Sequence, residues 1–447
     1  MPQLATLIVI LSILYLFWLD LREDRGTSNA VWIPLIWMFL AGSRYLSQWL
    51  DLGGGVNPYQ VYQEGSLIDS TVFGALIVTG AVILLRRGLD WGRLLVQYKW
   101  IWFYFLFCGI SIVWSDDSFV SFKRWIKALG DVIMALVILT EERPYEAVGT
   151  LLRRLAFVIL PLSALFIKYY PDLGRAYHIS APMFTGVATS KNSLGQICLI
   201  CGIYFAWTLI YRWHEEIEEG GYRGAAVNLL FIALIAWLLY MADSATSVGC
   251  LIAVAGLFVA GRVPVLASEP RRLILFFGTA LFLFSSLELS FGLSDWVIES
   301  LGRSKDLTTR VPMWEMLLAF DTNPLIGVGY ESFWSGDRIS RIWQQYPGII
   351  QAHNGYLDMY LNVGLIGLML FLIAVVSGFA AAINQLKSDY AGVLLRIAFM
   401  IAVVLNNWTE ATIKPVSNLF VILLLGILGG STLEEQEEGG EAPSDVE

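Results

Sequence analysis

Residues 353–384 read HNGYLDMYLNVGLIGLMLFLIAVVSGFAAAIN, and no charged residue follows Asp358 until Lys387. An apolar run of this length suits a helix crossing a hydrocarbon core of roughly 30 Å, which takes about 20 residues. The stretch just before it is long and polar. The chain therefore leaves an aqueous loop and enters a membrane here, and His353, one of three histidines, stands at the boundary. Gly364 and Gly367 sit a little further in as candidate hinges.

Comparable runs recur along the chain. Hydrophobic residues make up 57% of it and mean hydropathy is +0.64, above the apolar share of roughly 45–50% in soluble domains. The pattern predicts about twelve or thirteen spans, near residues 3–19, 30–48, 67–85, 99–115, 125–140, 147–168, 193–211, 226–242, 246–262, 273–291, 357–384, 392–409 and 415–430. Backbone in lipid must satisfy its own hydrogen bonds, and these runs are too long and too uniformly apolar for barrel strands. The expected fold class is all-α, a polytopic transmembrane helix bundle with one large, partly helical loop. Residues 1–291 are expected to form a membrane bundle, 292–356 the loop domain, 357–433 the C-terminal spans and 434–447 a tail.

Orientation follows from lysine and arginine. Arg22 and Arg25, then Arg86, Arg87 and Arg93, then Arg143, Arg153 and Arg154, then Arg212 and Arg223, then Arg262, Arg271 and Arg272, and last Lys387 and Arg396 fall on alternating connections, expected to face the cytoplasm. Residues 50–66, 169–192 and 292–356 then lie on the far side. The first span has little flanking charge, which leaves the side of the N-terminus open. No small-residue cleavage site follows it, so it reads as an uncleaved anchor.

The net charge of -9 argues against a nucleic-acid partner. Much of it lies in residues 214–219 and in the Glu- and Gly-rich tail, which reads as disordered, cytoplasmic and solvent-facing. Cys108, Cys198, Cys201 and Cys250 all fall inside expected spans. The Cys198–Cys201 spacing suits a redox or zinc pair, but its apolar surroundings favour packing. Trp91, Trp100, Trp102 and Trp114 lie near span ends as an interfacial belt. The halves show no internal duplication, which weakens a transporter reading.

Chemistry concentrates on the large far-side loop. Residues 308–320 read as a helix capped by Thr308 or Thr309, with Pro312 in its first turn and Arg310 and Trp314 on one face. Asn323-Pro324-Leu325-Ile326-Gly327-Val328-Gly329 follows as a turn whose glycines permit positive φ or close backbone approach. A second polar helix, near Asp337 to Gln345, carries Arg338 and Arg341. His353 comes next.

Three places carry a family resemblance: His353-Asn354 with Gly364 and Gly367; the block from Arg310 through Trp314 to Pro324–Gly329; and Thr189-Ser190-Lys191-Asn192-Ser193-Leu194-Gly195. In order and spacing, over residues 185–370, they resemble the O-antigen ligase and polymerase superfamily of bacterial envelopes. The stretch Pro161–Tyr177, with Pro171-Asp172-Leu173-Gly174-Arg175, looks like its exopolysaccharide-production branch. One departure stands out. Many members carry an arginine after the serine-rich start of a middle span, where this chain has Asp243-Ser244-Ala245-Thr246-Ser247; Lys191, Arg175 or Arg303 could substitute.

The resemblance implies transfer of a glycan from an undecaprenyl-pyrophosphate-linked donor to a hydroxyl of a glycan or lipid A-core acceptor, at the periplasmic face of the bacterial inner membrane. The residue types suit that chemistry independently. A leaving pyrophosphate needs its charge met, and the arginine fork does so through charge-assisted contacts. The attacking hydroxyl needs a base, and imidazole, with an ordinary pKa near ~6.5, suits neutral pH. One base opposite a good leaving group predicts inversion, whereas glycoside hydrolysis usually calls for two flanking carboxylates. His353 is the expected base. Arg310, Lys191, Asn354, Arg303, Arg338 and Arg341 are the expected substrate-binding residues. No cofactor or metal is expected, since no ligand cluster of familiar spacing appears.

Plainer roles compete: hydrogen bonding at the interface for His353, a salt bridge to Asp306 or Glu315 for Arg310, snorkelling for Lys191 and helix capping for Asn354. The function favoured is polymerase, with O-antigen ligase as the alternative. A transporter of lipid-linked sugar or polysaccharide would need charges lining the spans, and a non-catalytic scaffold would tolerate loss of His353. Membrane lipid and polysaccharide export proteins are the further expected partners.

Overall fold

Lipid supplies no hydrogen-bond partners, and the regular structure of the described chain is accordingly almost all helix, with one short hairpin. A computed structural model describes residues 2–23, 26–50, 65–178, 181–264 and 310–429, with isolated positions between 264 and 310. Its helices are α1 (Pro2–Asp20), α2 (Trp32–Gly42), α3 (Leu67–Arg86), α4 (Trp91–Gln97), α5 (Lys99–Ile110), α6 (Ser118–Leu139), α7 (Pro144–Tyr169), α8 (Lys191–Tyr211), α9 (Trp213–Ala242), α10 (Ala245–Ala260), α11 (Arg310–Leu318), α12 (Gly336–Gln345), α13 (Gly355–Asn384), α14 (Tyr390–Thr409) and α15 (Asn418–Leu428). A small antiparallel hairpin, β1 (Arg175–His178) and β2 (Ala181–Phe184), lies between α7 and α8. The expected span 273–291, Arg303, Thr308, Thr309 and the acidic tail lie outside the described residues.

Among the described residues seven helices are long and apolar enough to cross a membrane, or up to eight if the pair Trp91–Gln97 and Lys99–Trp114, bent by 91°, is one span. The expected spans 30–48, 246–262 and 415–430 correspond to the shorter apolar helices Asn29–Gly42, Ala245–Ala260 and Asn418–Leu428. The expected span 125–140 corresponds to the later part of α6, which carries Lys123, Arg124, Lys127 and Asp131. α1 exposes Leu4, Leu7, Leu11 and Leu14, an apolar surface suited to lipid and costly in water.

Capping follows local chemistry. Asp90, Asp117, Ser190 and Asp389 each accept a backbone N–H from the first turn of α4, α6, α8 and α14. Side-chain contacts then define two ends of the bundle. At one, Arg87 pairs with Glu141, Arg154 with Asp20 at 2.7 Å, Arg212 with Glu146 at 2.5 Å and Arg396 with the Gly426 carbonyl at 2.9 Å. This end holds basic residues from successive expected cytoplasmic loops. The other end holds the hairpin, α11, α12 and the starts of α6, α8 and α13. Thr6 reaches the Tyr170 hydroxyl at 2.7 Å, which puts the start of α1 at that end as well.

α13 is broken at Gly364, where φ is 65° and ψ is -169°, while Gly367 keeps helical backbone. The break leaves backbone groups without intrahelical partners, and the turn 324–329 supplies them. Leu365 N and Ile366 N donate to the Pro324 and Leu325 carbonyls at 2.9 and 3.0 Å. Val328 N and Gly329 N donate to the Leu361 and Asn362 carbonyls at 3.2 and 2.8 Å. Gly327 and Gly364 both have positive φ, and a Cβ on either would meet opposing backbone at 2.3 Å, so the two glycine motifs are halves of one joint. Met313, Leu317, Phe333, Trp334, Ile339 and Ile342 form a separate small core above it.

All four cysteines are free and buried, which leaves a silent background for labelling. Cysteines introduced at Ser340 and Lys387, both exposed, are expected to react with an impermeant thiol reagent from opposite sides of a sealed membrane. Labelling of both from one side would contradict the two-ended arrangement.

Candidate active site

Four helix ends converge at the end that carries α11 and α12. The Asn354 side chain accepts from Tyr356 N and Leu357 N, each at 3.1 Å, and so caps α13. His353 just before it has φ of +50°, a left-handed conformation uncommon for a non-glycine residue. A Cβ at Gly355 would fall 2.0 Å from the Asn407 Oδ1, so the start of α13 lies directly on α14. Asn407 Oδ1 in turn accepts from Thr412 N at 3.1 Å and Ile413 N at 3.3 Å. That fixes the turn just after α14, where Glu410 stands.

Glu410 is the hub. Its Oε1 accepts from Asn192 Nδ2 at 2.7 Å and lies 3.8 Å from Arg310 Nη2. Its Oε2 lies 3.2 Å from both His353 Nδ1 and Gln351 Nε2. Arg310 Nη1 also donates to the Thr409 carbonyl at 2.8 Å and the His353 carbonyl at 3.3 Å, giving the last carbonyl of α14 a cationic partner. The Lys414 ammonium, 3.4 Å from Gln351 Oε1, sets the Gln351 amide with its nitrogen toward Glu410. His353 Nδ1 lies 3.3 Å from Gln351 Nε2 as well as 3.2 Å from Glu410, and the carboxylate beside it favours the tautomer with Nδ1 as donor and Nε2 as acceptor, an assignment made from the network. The carboxylate is 8% exposed and the imidazole 29%, so the imidazole is the member of the pair that a substrate can meet.

The other expected residues divide. Lys191, in the first turn of α8 beside Asn192, lies 4.0 Å from Asp243 Oδ2, and Thr246 meets Thr409 at 2.8 Å. The stretch that lacks the family's arginine thus abuts the site and faces a lysine. Arg175 is held at the hairpin by the Ile167 carbonyl at 2.8 Å. Arg338 pairs with Asp116 and lies over Phe333, and Arg341 is exposed on α12; neither is among the contacts around His353. Arg303 lies outside the described residues. Arg310 finds its described partners at Thr409, His353 and Glu410 rather than at Glu315, and Asp306 lies outside the described residues. The Asn354 oxygen caps a helix, and its influence on the site runs through the backbone it fixes at His353. Among the described residues no three His, Cys, Asp or Glu side chains gather where they could hold an ion.

Sequence reasoning missed Glu410, Asn192 and Gln351. The available signal was Thr409-Glu410-Ala411-Thr412, a polar break between two apolar runs, with the one acid of that far-side turn.

This arrangement belongs to a class of integral membrane proteins, and the chain is a member of the O-antigen ligase family. The family's model, described as O-antigen ligase, matches residues 179–372, which include Lys191, Arg310, His353 and the Gly364 break. Exopolysaccharide production protein ExoQ of Rhizobium meliloti (strain 1021) is 30% identical over 306 residues, covering 66% of this chain and 67% of that protein. The function is of O-antigen ligase and polymerase type, in polysaccharide biosynthesis.

Removing the charge of Glu410 while keeping its shape tests the hub. Glu410→Gln is expected to lower turnover by about tenfold or more, because a hydrogen bond to a charged partner contributes roughly 1.5–3 kcal/mol, with the protein still inserted and folded. Arg310→Lys keeps charge but loses the fork, and initial rates are expected to fall similarly. Rates equal to the unmodified protein in either variant would make the corresponding contact structural only.

Proposed function

We propose that this protein is an inverting, metal-independent membrane glycosyltransferase that transfers a glycan from undecaprenyl pyrophosphate to an acceptor hydroxyl. The observation that carries the reading is the His353–Glu410–Arg310 contact. In this reading His353 donates a hydrogen bond from Nδ1–H to Glu410 and keeps the Nε2 lone pair for the acceptor hydroxyl. As that oxygen attacks the anomeric carbon its proton passes to Nε2, the new glycosidic bond forms, and the bond to the phosphate oxygen breaks. The departing pyrophosphate takes the electron pair, and Arg310 and Lys191 meet its charge. Glu410 then lies against an imidazolium and stabilises it, as a carboxylate does for histidine in other base-assisted displacements.

The N-termini of α8, α11 and α13 meet at this centre, and helix N-termini favour anions. The arginine-rich opposite end supports a cytoplasmic placement for that end, and so a periplasmic site in the inner membrane, on the side that carries α11 and α12. A polymerase is the favoured member of the class, supported by the similarity to an exopolysaccharide production protein and by Pro171–Arg175.

Reconstitution in lipid with a synthetic undecaprenyl-pyrophosphate repeat, followed by glycan length analysis, tests this reading. Longer lipid-linked chains are expected. Donor consumption only when lipid A-core is added would make the protein a ligase, and passage across the bilayer without new bonds would make it a transporter. His353→Ala is expected to lower product about 10²–10⁴-fold, while expression and insertion hold; normal polymer would remove the base assignment. Excess chelator is expected to leave the rate unchanged, because cationic side chains meet the leaving group. Loss of activity restored by a divalent ion would contradict that mechanism.

A further inference from the structure

The left-handed backbone of His353, with φ of +50°, persists only where its surroundings over-determine it. The two peptide groups that flank its Cα set where the ring points, and both are held from α11. Trp314 Nε1 donates to the Ala352 carbonyl at 2.8 Å, and Arg310 Nη1 donates to the His353 carbonyl at 3.3 Å. Arg310 and Trp314 are four residues apart and share one helix face, so α11 grips the His353 backbone at two points.

The peptide before these two is held as well. Asp358, in the first turn of α13, accepts from Ala352 N at 3.0 Å on its Oδ1, and the same oxygen accepts from the Trp334 indole at 2.9 Å. This anchor is itself firmly seated. Trp334 is buried in the small core, and Asn362, one turn beyond Asp358, donates to the Asp358 carbonyl at 2.8 Å and accepts from Phe333 N at 2.9 Å. Three successive peptide groups around His353 thus have partners on α11 or α13. Neither Trp314 nor Asp358 takes part in the proton or charge transfer proposed above.

We propose that Trp314 and Asp358 are positioning residues for His353. Together with Arg310 they fix the peptides 351–352, 352–353 and 353–354, and with them the direction of the His353 Cα–Cβ bond, so the imidazole meets Glu410 without a search through other backbone states. The inference rests on the reading of His353 as the base and adds residues that reading leaves idle. A helix start needs only its cap, which Asn354 supplies. The bonds to Ala352 lie outside the helix and act on the residue that precedes the cap.

The test uses the full chain in lipid vesicles with a synthetic undecaprenyl-pyrophosphate repeat. It reads kcat and KM, and separately the rate at which diethyl pyrocarbonate modifies His353, followed by peptide mass spectrometry. Trp314→Phe keeps the ring and removes the N–H. Its kcat is expected to fall about fivefold to tenfold, the equivalent of one hydrogen bond, with KM little changed, and His353 is expected to react several-fold faster because its ring leaves Glu410. Asp358→Leu should do the same, whereas Asp358→Asn keeps an oxygen for both bonds and should retain most of the rate. In the Glu410→Gln background Trp314→Phe should cost less than it does alone, since both changes act on one contact; a residue that only stabilises the fold would cost the same in each. Full kcat in Trp314→Phe, or equal losses in both backgrounds with His353 reacting at the parent rate, would overturn the positioning role. If the parent chain made no product while the His353 reaction rates shifted as described, the transfer reading would fall and the positioning role would stand.

Discussion

The structure depends on a broken helix being made whole by a loop. At membrane depth an unpaired N–H or C=O costs several kcal/mol, so the break at Gly364 persists only because the turn 324–329 fills it with four backbone hydrogen bonds. Everything on the site side inherits its position from that joint. The first turns of α13 carry Asn354 and His353, and the segment leading into the turn carries Arg310. The small core around Met313 and Phe333 holds the two together. Neither glycine can be exchanged for a larger residue, because the backbones touch where a Cβ would stand.

The second constraint is electrostatic. Glu410 is almost fully covered, and a carboxylate so placed needs partners on both oxygens. Asn192 and Arg310 face one oxygen, His353 and Gln351 the other, so three segments distant in sequence are drawn to one acid. Arg310 likewise serves the Thr409 and His353 carbonyls as well as Glu410. A side chain with that many partners keeps one orientation, which is the pre-organisation an anion-binding fork requires.

Much of this was legible in the sequence, unevenly and for physical reasons. Apolar runs report helices directly, and the positions of Arg22 to Arg396 reported which helix ends meet. Gly327, Gly329 and Gly364 read as backbone devices because glycine in an apolar or turn context has few other uses. That they were one device could not be read, since pairing across 37 positions leaves no local pattern. Glu410 escaped for the same reason. It lies 57 residues from His353 and 218 from Asn192, and an acid in a short interhelical turn looks solvated until its neighbours are known. Span number was the softest reading, because α2, α10 and α15 are short and α6 mixes charge with apolar residues.

The length of α13 carries one more consequence. Its 30 residues, at about 1.5 Å each, reach at most about 45 Å, roughly 15 Å more than the hydrocarbon thickness. The surplus lies at the His353 end if the opposite end, near Lys387, is held at the water boundary. The imidazole then sits at or just beyond the headgroup layer, which adds only roughly 5–8 Å on each side of the hydrocarbon. On the proposed reading, a substrate anchored by its own tail would meet His353 by sideways diffusion within one leaflet, and the encounter becomes a search in two dimensions rather than three.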